Sequence, residues 1–313
     1  MWLVRVVVTG GAGFIGSNLV DVLTGRGDDV TVLDSLTTGY ADNVVSPARL
    51  VVGDVTDEAA VAGCVAGAEV VFHLAAARSV ARSVEAPVET DRVNTGGTLT
   101  VLECARRAGV RRVVTTSSSS VYGRAATVPT REDAPLSPRT PYAVSKMAGE
   151  HYSRVYWELY GLETVALRPF NVFGPRQRPD SAYAAVIPIF IDALLTGTSP
   201  VVHGDGGQSR DFTYVSDTVA AYVAAADAPA SSCAGKVYNV AGGGEHTLID
   251  LLAALGEIIG VDATPTFVEA RPGDVRRSCG DSTAAERDLG WGVRVGFEEG
   301  LGRTVEWVSS RHP

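Results

Sequence analysis

Tyr142 and Lys146 stand four apart in the run P-Y-A-V-S-K. Residues at that spacing share a helix face, and Pro141 suits the first turn of such a helix. An ammonium beside a phenol favours the phenolate. Lys146 is therefore expected to lower the Tyr142 pKa and make the tyrosine a general base. A serine cluster, T-T-S-S-S-S-V-Y-G over residues 115–123, precedes the pair and offers hydroxyls beside it. Y-x-x-x-K alone occurs often by chance, so its weight comes from what lies upstream. There, T-G-G-A-G-F-I-G puts Gly10, Gly13 and Gly16 at G-x-x-G-x-x-G, one residue away from the G-x-G-x-x-G dinucleotide turn. Small residues let the backbone approach a pyrophosphate, and a helix N-terminus presents free N–H groups and a positive dipole end. Asp34, 18 residues beyond Gly16, can accept both adenosine ribose hydroxyls and would repel a 2′-phosphate. It also reads as a turn-initiating aspartate before Ser35. Asp54 could bond an adenine amine, and reads equally as a lone loop carboxylate.

Apolar runs supply the scaffold for these groups. Residues 2–9 form a β-branched run. The glycine turn follows, then an apolar helical spacing through Ile15, Leu19, Val20 and Leu23 that Gly25 and Gly27 close, then the run 30–33. Strand, turn, helix and strand within about 30 residues make a βαβ unit. The runs 49–52, 70–74 and 113–117 continue the alternation, and short, fully apolar strands between helices predict a parallel sheet covered on both faces. The expected fold is α/β: a Rossmann-type doubly wound parallel sheet with a smaller mixed α/β C-terminal substrate lobe. Residues 1–170 are assigned to the dinucleotide-binding domain and 171–313 to the second lobe, with about 205–240 crossing back to the first. Three prolines and three arginines in 168–183 predict an irregular loop, and helices are expected over 186–195, 219–230 and 248–259.

The 313 residues are 45% hydrophobic and 20% charged, a globular composition, and the net charge of −9 lacks the basic footprint of a nucleic-acid binder. Cys64, Cys104, Cys233 and Cys279 are widely spaced, which favours buried free thiols over a zinc site or disulfides. No apolar run reaches the roughly 18 residues that suggest a membrane span. A cytoplasmic protein with no metal, nucleic-acid or membrane partner is expected.

From about residue 3 to residue 307 the chain resembles the extended short-chain dehydrogenase/reductase family, and within it the NAD-dependent nucleotide-sugar epimerases and dehydratases. The resemblance rests on TGGAGFIG, DSLTTG, HLAA, Asn94, SSSSVYG, YAVSK, RPFNVFGP, QSRDFTYVSD and ARPGD. It implies NAD as cofactor, held by Gly10, Gly13, Phe14, Ile15, Gly16, Asp34, Ser35, Thr38, Gly39, Asp54, Val55, Leu74, Ala75, Ala76, Asn94, Lys146 and Phe170. It implies that Ser118 orients the sugar 4-hydroxyl beside Tyr142, while Lys146 also holds the nicotinamide ribose. For a UDP-sugar it implies contacts from Arg78, Ser119, Ser120, Tyr142, Asn171, Arg178, Val186, His203, Arg210, Arg271, Asp274 and Ser278. Paired arginines suit a diphosphate because each guanidinium bonds its oxygens in a fixed fork. His203 reads equally as a plain loop residue, and the small Ser278 identifies no substrate. Relatives pair through helices, which here would lie around 91–108 and 142–159 and would make a homodimer.

The resembling 4,6-dehydratases carry Asp-Glu where Ser119 and Ser120 stand, and decarboxylases carry a glutamate at the position of Ser120. By subtraction, 4-epimerisation remains. G-P-R-Q-R-P-D-S-A-Y, residues 174–183, resembles the segment of enzymes that epimerise UDP-glucuronate, in which the arginine before Pro-Asp faces the C6 carboxylate. Arg178 holds that place here, and reads otherwise as the partner of a loop carbonyl or a surface carboxylate. A uronate oxidised at C4 is a β-keto acid, so a clamp that keeps its carboxylate near the carbonyl plane suppresses loss of CO₂. The reading is UDP-glucuronate to UDP-galacturonate. The alternatives are a UDP-glucose or UDP-N-acetylglucosamine 4-epimerase and, more remotely, a non-catalytic NAD-binding protein, although such proteins usually lose the Tyr/Lys pair.

Overall fold

The computed structural model describes residues 4–125, 127–177, 185–270 and 275–311. Seven strands, β1 (Arg5–Thr9), β2 (Asp29–Asp34), β3 (Arg49–Val52), β4 (Val70–His73), β5 (Arg112–Thr116), β6 (Glu163–Pro169) and β7 (Lys236–Val240), form one sheet. Their order is β7-β6-β5-β4-β1-β2-β3, and every pairing is parallel. Parallel strands need crossovers, and helices on both faces bury both sides of the sheet. Successive residues of β1 show this: Val6 and Val8 join one core cluster, while Val7 joins the other. The order reverses between β4 and β1, and open sheets of this kind hold ligands beyond the carboxyl ends of strands at that switch point.

The first helix, Phe14–Arg26, runs through Gly25 and is ended only by Gly27, in the left-handed region at φ +91°. Gly25 is therefore an interior helical residue and not the stop that its type suggests. Segment 168–183 likewise begins more regularly than its prolines imply. Arg168 and Pro169 complete β6, whose hydrogen-bonded neighbours on both sides fix the backbone, and Val172–Phe173 pairs with Thr213–Tyr214.

The second half of the chain is tied to the sheet by polar as well as apolar contacts. Arg112, 1% exposed, donates to the carbonyls of Ala225, Ala226 and Ala228 at the end of the Val215–Asp227 helix, and pairs with Glu163. Helices Val186–Leu195, Leu248–Ile259 and Phe297–Ser309 form the C-terminal part, and their apolar residues share one core cluster with β1 and the first helix. Thr247 and Asp250 form a reciprocal capping box at the start of Leu248–Ile259. Cys64, Cys104 and Cys233 are buried free thiols, and Cys279 is a half-buried one.

Candidate active site

The turn after β1 is shaped by what glycine lacks. Gly10 has φ +73°, and a Cβ there would lie 2.6 Å from the Ala75 main-chain nitrogen. A Cβ on Gly16 would lie 2.2 Å from the Gly10 carbonyl oxygen. Gly13 caps the helix without a side-chain bond, Phe14 and Ile15 begin it, and its first turn carries no acidic residue. The positive helix end is left unopposed. Asp34 ends β2 and is 8% exposed; its two oxygens accept from Ala12 N at 3.0 Å and Leu36 N at 2.8 Å. The main chain thus fixes this carboxylate, and about half of its acceptor positions stay free. A Cβ on Gly39 would crowd Asp34 Oδ1 at 2.9 Å. Ser35 hydrogen-bonds Thr37, and Thr38 is exposed. The Thr56 main-chain N–H and, less strongly, its hydroxyl hold Asp54 below the usual carboxylate range against partial burial. Val55 is buried where a Cβ on Gly97 would stand.

Leu74, Ala75 and Ala76 leave the end of β4, and the Leu74 and Ala75 N–H groups bond Thr9. Asn94 lies in a π-helical turn, Arg92–Gly96, of a kind that often marks functional sites. Its side chain accepts from Ala77 N at 2.7 Å and donates to Ser145 Oγ at 3.0 Å. It thereby joins the segment after β4 to the helix Pro141–Tyr160. That helix starts with Thr140, whose side chain accepts from Ala143 N, and ends at the left-handed Gly161.

Lys146, 8% exposed, donates from Nζ to the Thr116 carbonyl at 2.9 Å. Its Nζ lies 5.9 Å from the Tyr142 ring centroid. Ser118 caps the short helical turn Ser119–Tyr122 and accepts from Ser120 N, and its hydroxyl lies near enough to the Tyr142 phenol to favour the phenolate. The Ser120 hydroxyl is buried without a partner. Burial raises the Tyr142 pKa, while the nearby Ser118 hydroxyl and the Arg78 charge oppose the rise. Burial also brings Lys146 down to about 8. The expectation that Lys146 lowers the tyrosine pKa is corrected here. The Lys146 hydrogen bond goes to the Thr116 carbonyl, and it is Ser118 and Arg78 that favour the phenolate. His73, which bonds Thr9 and Thr98 through its two ring nitrogens, is pushed down to about 3, first by burial and then by the Lys146 charge. It is a neutral, structural imidazole.

Asp211, fully buried, ties Asn171, one of the residues expected to contact the substrate, to two glycine N–H groups. It accepts from Gly242 N at 2.6 Å and Gly280 N at 3.2 Å, and its main-chain oxygen accepts from Asn171 Nδ2 at 2.9 Å. Asn171 has φ +30°. Arg210 lies opposite Ser278 in a parallel pairing and donates to Ser209 O and Val275 O. Phe170, 1% exposed, occupies the space where a Cβ on Gly280 would stand. Val186 opens its helix, and His203 bonds the Glu269 carbonyl, one residue past the neighbouring strand Thr266–Val268. Arg178, Arg271 and Asp274 lie outside the described residues.

The motif reading missed a buried polar cluster beneath the site. Arg168 meets both oxygens of Glu150 at 2.7 Å, and the Ser117 hydroxyl donates to Glu150. Arg168 also donates to Tyr122, which donates to Asn239. One signal was available: Glu150 falls one helical turn after Lys146, a carboxylate on the inward face.

Residues 6–241 match the model of the NAD dependent epimerase/dehydratase family. The chain belongs to this family. A UDP-glucose 4-epimerase from Mycolicibacterium smegmatis is 44% identical over 98% of this chain and 99% of its own. A UDP-N-acetylglucosamine 4-epimerase from Methanobrevibacter ruminantium, solved with UDP-N-acetylmuramic acid, superposes with a TM-score of 0.94 at 38% identity over 100% of both chains. MoeE5, solved with UDP-glucuronic acid and NAD, gives a TM-score of 0.90 at 35% identity over 98% of this chain and 100% of that one. The cofactor of this epimerase/dehydratase is NAD. The side-chain-free cradle at Gly10 and Gly16 and the fixed, partly free Asp34 carboxylate fit it. Among the described residues no helix is long and apolar enough to cross a membrane.

Proposed function

We propose that the protein catalyses NAD-dependent 4-epimerisation of a UDP-sugar, and that the sugar is glucuronate, giving UDP-galacturonate. The observation that carries the reaction is that Ser118, whose hydroxyl favours the Tyr142 phenolate, heads the turn Ser119–Tyr122, which carries serine hydroxyls and no carboxylate. Elimination of water across C5–C6 needs an acid and a base there, and serine hydroxyls do not serve as either near neutral pH. Tyr142 takes the proton of the 4-hydroxyl as Ser118 orients it, and Lys146 holds the cofactor's nicotinamide ribose. Held there, NAD would supply the acceptor and donor of the C4 hydride, with return to the opposite sugar face in an epimerisation. Gly10, Gly13, Gly16, Asp34 and Asn94 position the cofactor, Asn171 and Arg210 face the diphosphate and ribose of the nucleotide, and Ser278 borders the sugar.

The uronate assignment is supported by Arg178 in G-P-R-Q-R-P-D and by the buried, unpartnered Ser120 hydroxyl. The second reading, a neutral or N-acetylated sugar, is favoured by the relatives named for UDP-glucose and UDP-N-acetylglucosamine. Assays with all three UDP-sugars, read by product mass spectrometry and chromatography, decide between them. UDP-glucuronate should turn over fastest. Arg178→Ala should slow it by roughly 30- to 1000-fold, about 2–4 kcal/mol for a lost charge-assisted contact, and release some UDP-pentose. If wild type prefers UDP-glucose and Arg178→Ala slows both sugars alike, the uronate reading fails and the neutral-sugar reading stands.

A homodimer is part of the same reading. Val101, Leu102 and Ala105 of the first expected pairing helix are core residues, whereas Val144, Val155 and Leu159 on Pro141–Tyr160 and the neighbouring Val84 and Val88 are exposed. Pairing would therefore run through Pro141–Tyr160 and the 80–91 segment. A monomeric mass in solution at micromolar concentration would refute it.

A further inference from the structure

The segment after β4 runs from the glycine turn to the Tyr142 helix without a strand partner. At its near end Leu74 N and Ala75 N bond Thr9, and a Cβ on Gly10 would lie 2.6 Å from Ala75 N. That end is seated on the glycine turn. Further along, one side chain grips Ala77: Asn94 Oδ1 accepts from Ala77 N at 2.7 Å, and Asn94 Nδ2 donates to Ala77 O at 3.2 Å. Among the described residues no other hydrogen bond reaches the main chain of residues 76–78. The Asn94 amide takes the place of a neighbouring strand. Its Nδ2 also donates to Ser145 Oγ at 3.0 Å, and Ser145 Oγ donates to the Tyr142 carbonyl at 2.8 Å. Asn94 is 2% exposed and both its amide hydrogens are used inside the protein, so no donor is left for a ligand. Arg78, next to Ala77, is exposed and forms no hydrogen bond or ion pair among the described residues, and its charge acts on Tyr142.

We propose that Asn94 is a positioning residue that acts through Ala77 to aim the Arg78 guanidinium at an anionic oxygen of the UDP-sugar, and does not itself touch substrate or cofactor. This role rests on the reading of the cleft as a UDP-sugar site. The grip is stiff because Asn94 is itself fixed from elsewhere. It sits in the π-helical turn Arg92–Gly96, and its carbonyl accepts from Thr98 Oγ1 at 2.5 Å. Without its amide, residues 76–78 keep only covalent attachments, to Ala75 on the glycine turn and to Ser79, the cap of the helix Val80–Glu85. Arg78 lies inside that freed stretch, so its guanidinium would have to be ordered at the moment of binding. Affinity for the UDP-sugar should fall, while the glycine turn and Asp34 still retain the cofactor. The anionic oxygen has two sources, the diphosphate and a C6 carboxylate, and binding of two sugars separates them.

Calorimetry on the NAD-loaded protein with UDP-glucose and UDP-glucuronate reads the effect without turnover. Arg78→Ala should weaken binding roughly tenfold or more. Loss on both sugars assigns the guanidinium to the diphosphate, and loss on UDP-glucuronate alone assigns it to the carboxylate. Asn94→Ala should weaken the same sugars roughly three- to tenfold with NAD content unchanged. The double variant Asn94→Ala/Arg78→Ala should match Arg78→Ala alone, because Asn94 acts through Arg78. Ser145→Ala keeps the grip on Ala77 but cuts its tie to the Tyr142 helix, so it should show the same pattern at smaller size. Hydrogen exchange read by mass spectrometry reports the grip itself: the Ala77 amide should exchange about tenfold faster in Asn94→Ala, with residues 5–26 unchanged. Additive losses in the double variant, or lost NAD in Asn94→Ala with sugar affinity intact, would overturn the proposal and make Asn94 a direct contact. So would an Ala77 amide that stays protected. Should Asn94→Ala fail to fold, Ser145→Ala with Arg78→Ala gives the same cycle. A protein that binds the sugars with this coupling but turns over neither would overturn the proposed reaction and leave the role of Asn94 standing.

Discussion

The glycine turn and the Tyr142 cradle occupy the same edge of the sheet, beyond the carboxyl ends of β1 and β5, yet they are built by opposite means. The turn is defined by missing atoms: Gly10 and Gly16 sit where a Cβ would collide with main chain. The cradle is defined by side chains whose polar ends are buried and paired: Lys146 on Thr116, Glu150 on Ser117 and Arg168, Asn94 on Ser145. A backbone-built site tolerates no added atom, and a side-chain-built site tolerates no lost one. The two regions should therefore fail differently when altered.

The largest effect is expected in the cradle. Tyr142→Phe should cut kcat by about 10²–10⁴-fold while calorimetric substrate affinity stays within about tenfold. Retention of more than a tenth of wild-type activity would assign the base elsewhere. Gly16→Ala should show the opposite signature. Its Cβ would fall 2.2 Å from a main-chain oxygen that cannot rotate away, so the purified protein should lose most of its bound NAD, and thermal stability should drop by about 1–3 kcal/mol. Unchanged NAD content would mean that the turn can widen, which would erase the contrast. Asp34→Asn is milder, since the amide keeps an acceptor for one of the two backbone N–H groups. The preference for NAD over NADP should narrow by roughly tenfold as repulsion of a 2′-phosphate is relieved, measured as the ratio of the two dissociation constants.

The smallest effect concerns Lys146, which burial brings from 10.5 to about 8. Between those values the unfolded chain holds a proton that the folded NAD-free protein lacks, so this lysine's contribution to stability rises with pH across that window. Chemical denaturation of the NAD-free protein from pH 7 to pH 10 should show wild type gaining on Lys146→Met. A constant difference would show that the ammonium is solvated in the folded state.

The same contrast explains what could be read from the sequence. Glycines at fixed spacing, Asp34 after a strand, and Tyr142 and Lys146 four apart are local patterns, so the chain alone carried them. The sheet was legible for the same reason, since runs such as V-V-V and V-V-F admit few uses other than buried parallel strands. Glu150 and Arg168 lie 18 residues apart, and Ser117 and Glu150 meet only because β5 packs on the helix; no spacing rule announces either contact. The direction of the Tyr142 pKa was misjudged because adjacency on a helix says nothing about burial, which dominates it. Gly25 was misplaced because propensity is weak inside a helix whose apolar face is already packed.

β7 is made from residues 236–240, almost seventy residues after β6 ends, yet it hydrogen-bonds β6 along its length. During synthesis the chain through residue 170 therefore presents β6 as an open edge, and holds the Arg112 guanidinium without the carbonyls of Ala225, Ala226 and Ala228 that later receive it. An open strand edge and guanidinium N–H groups left without their carbonyl acceptors, with only Glu163 to pair the charge, both disfavour early closure. The cofactor half should thus not mature on the ribosome as a unit of its own, but wait for about 240 residues to emerge. A nascent chain stalled before residue 230 would then be protease-sensitive across β5 and β6, and one released after residue 245 would not.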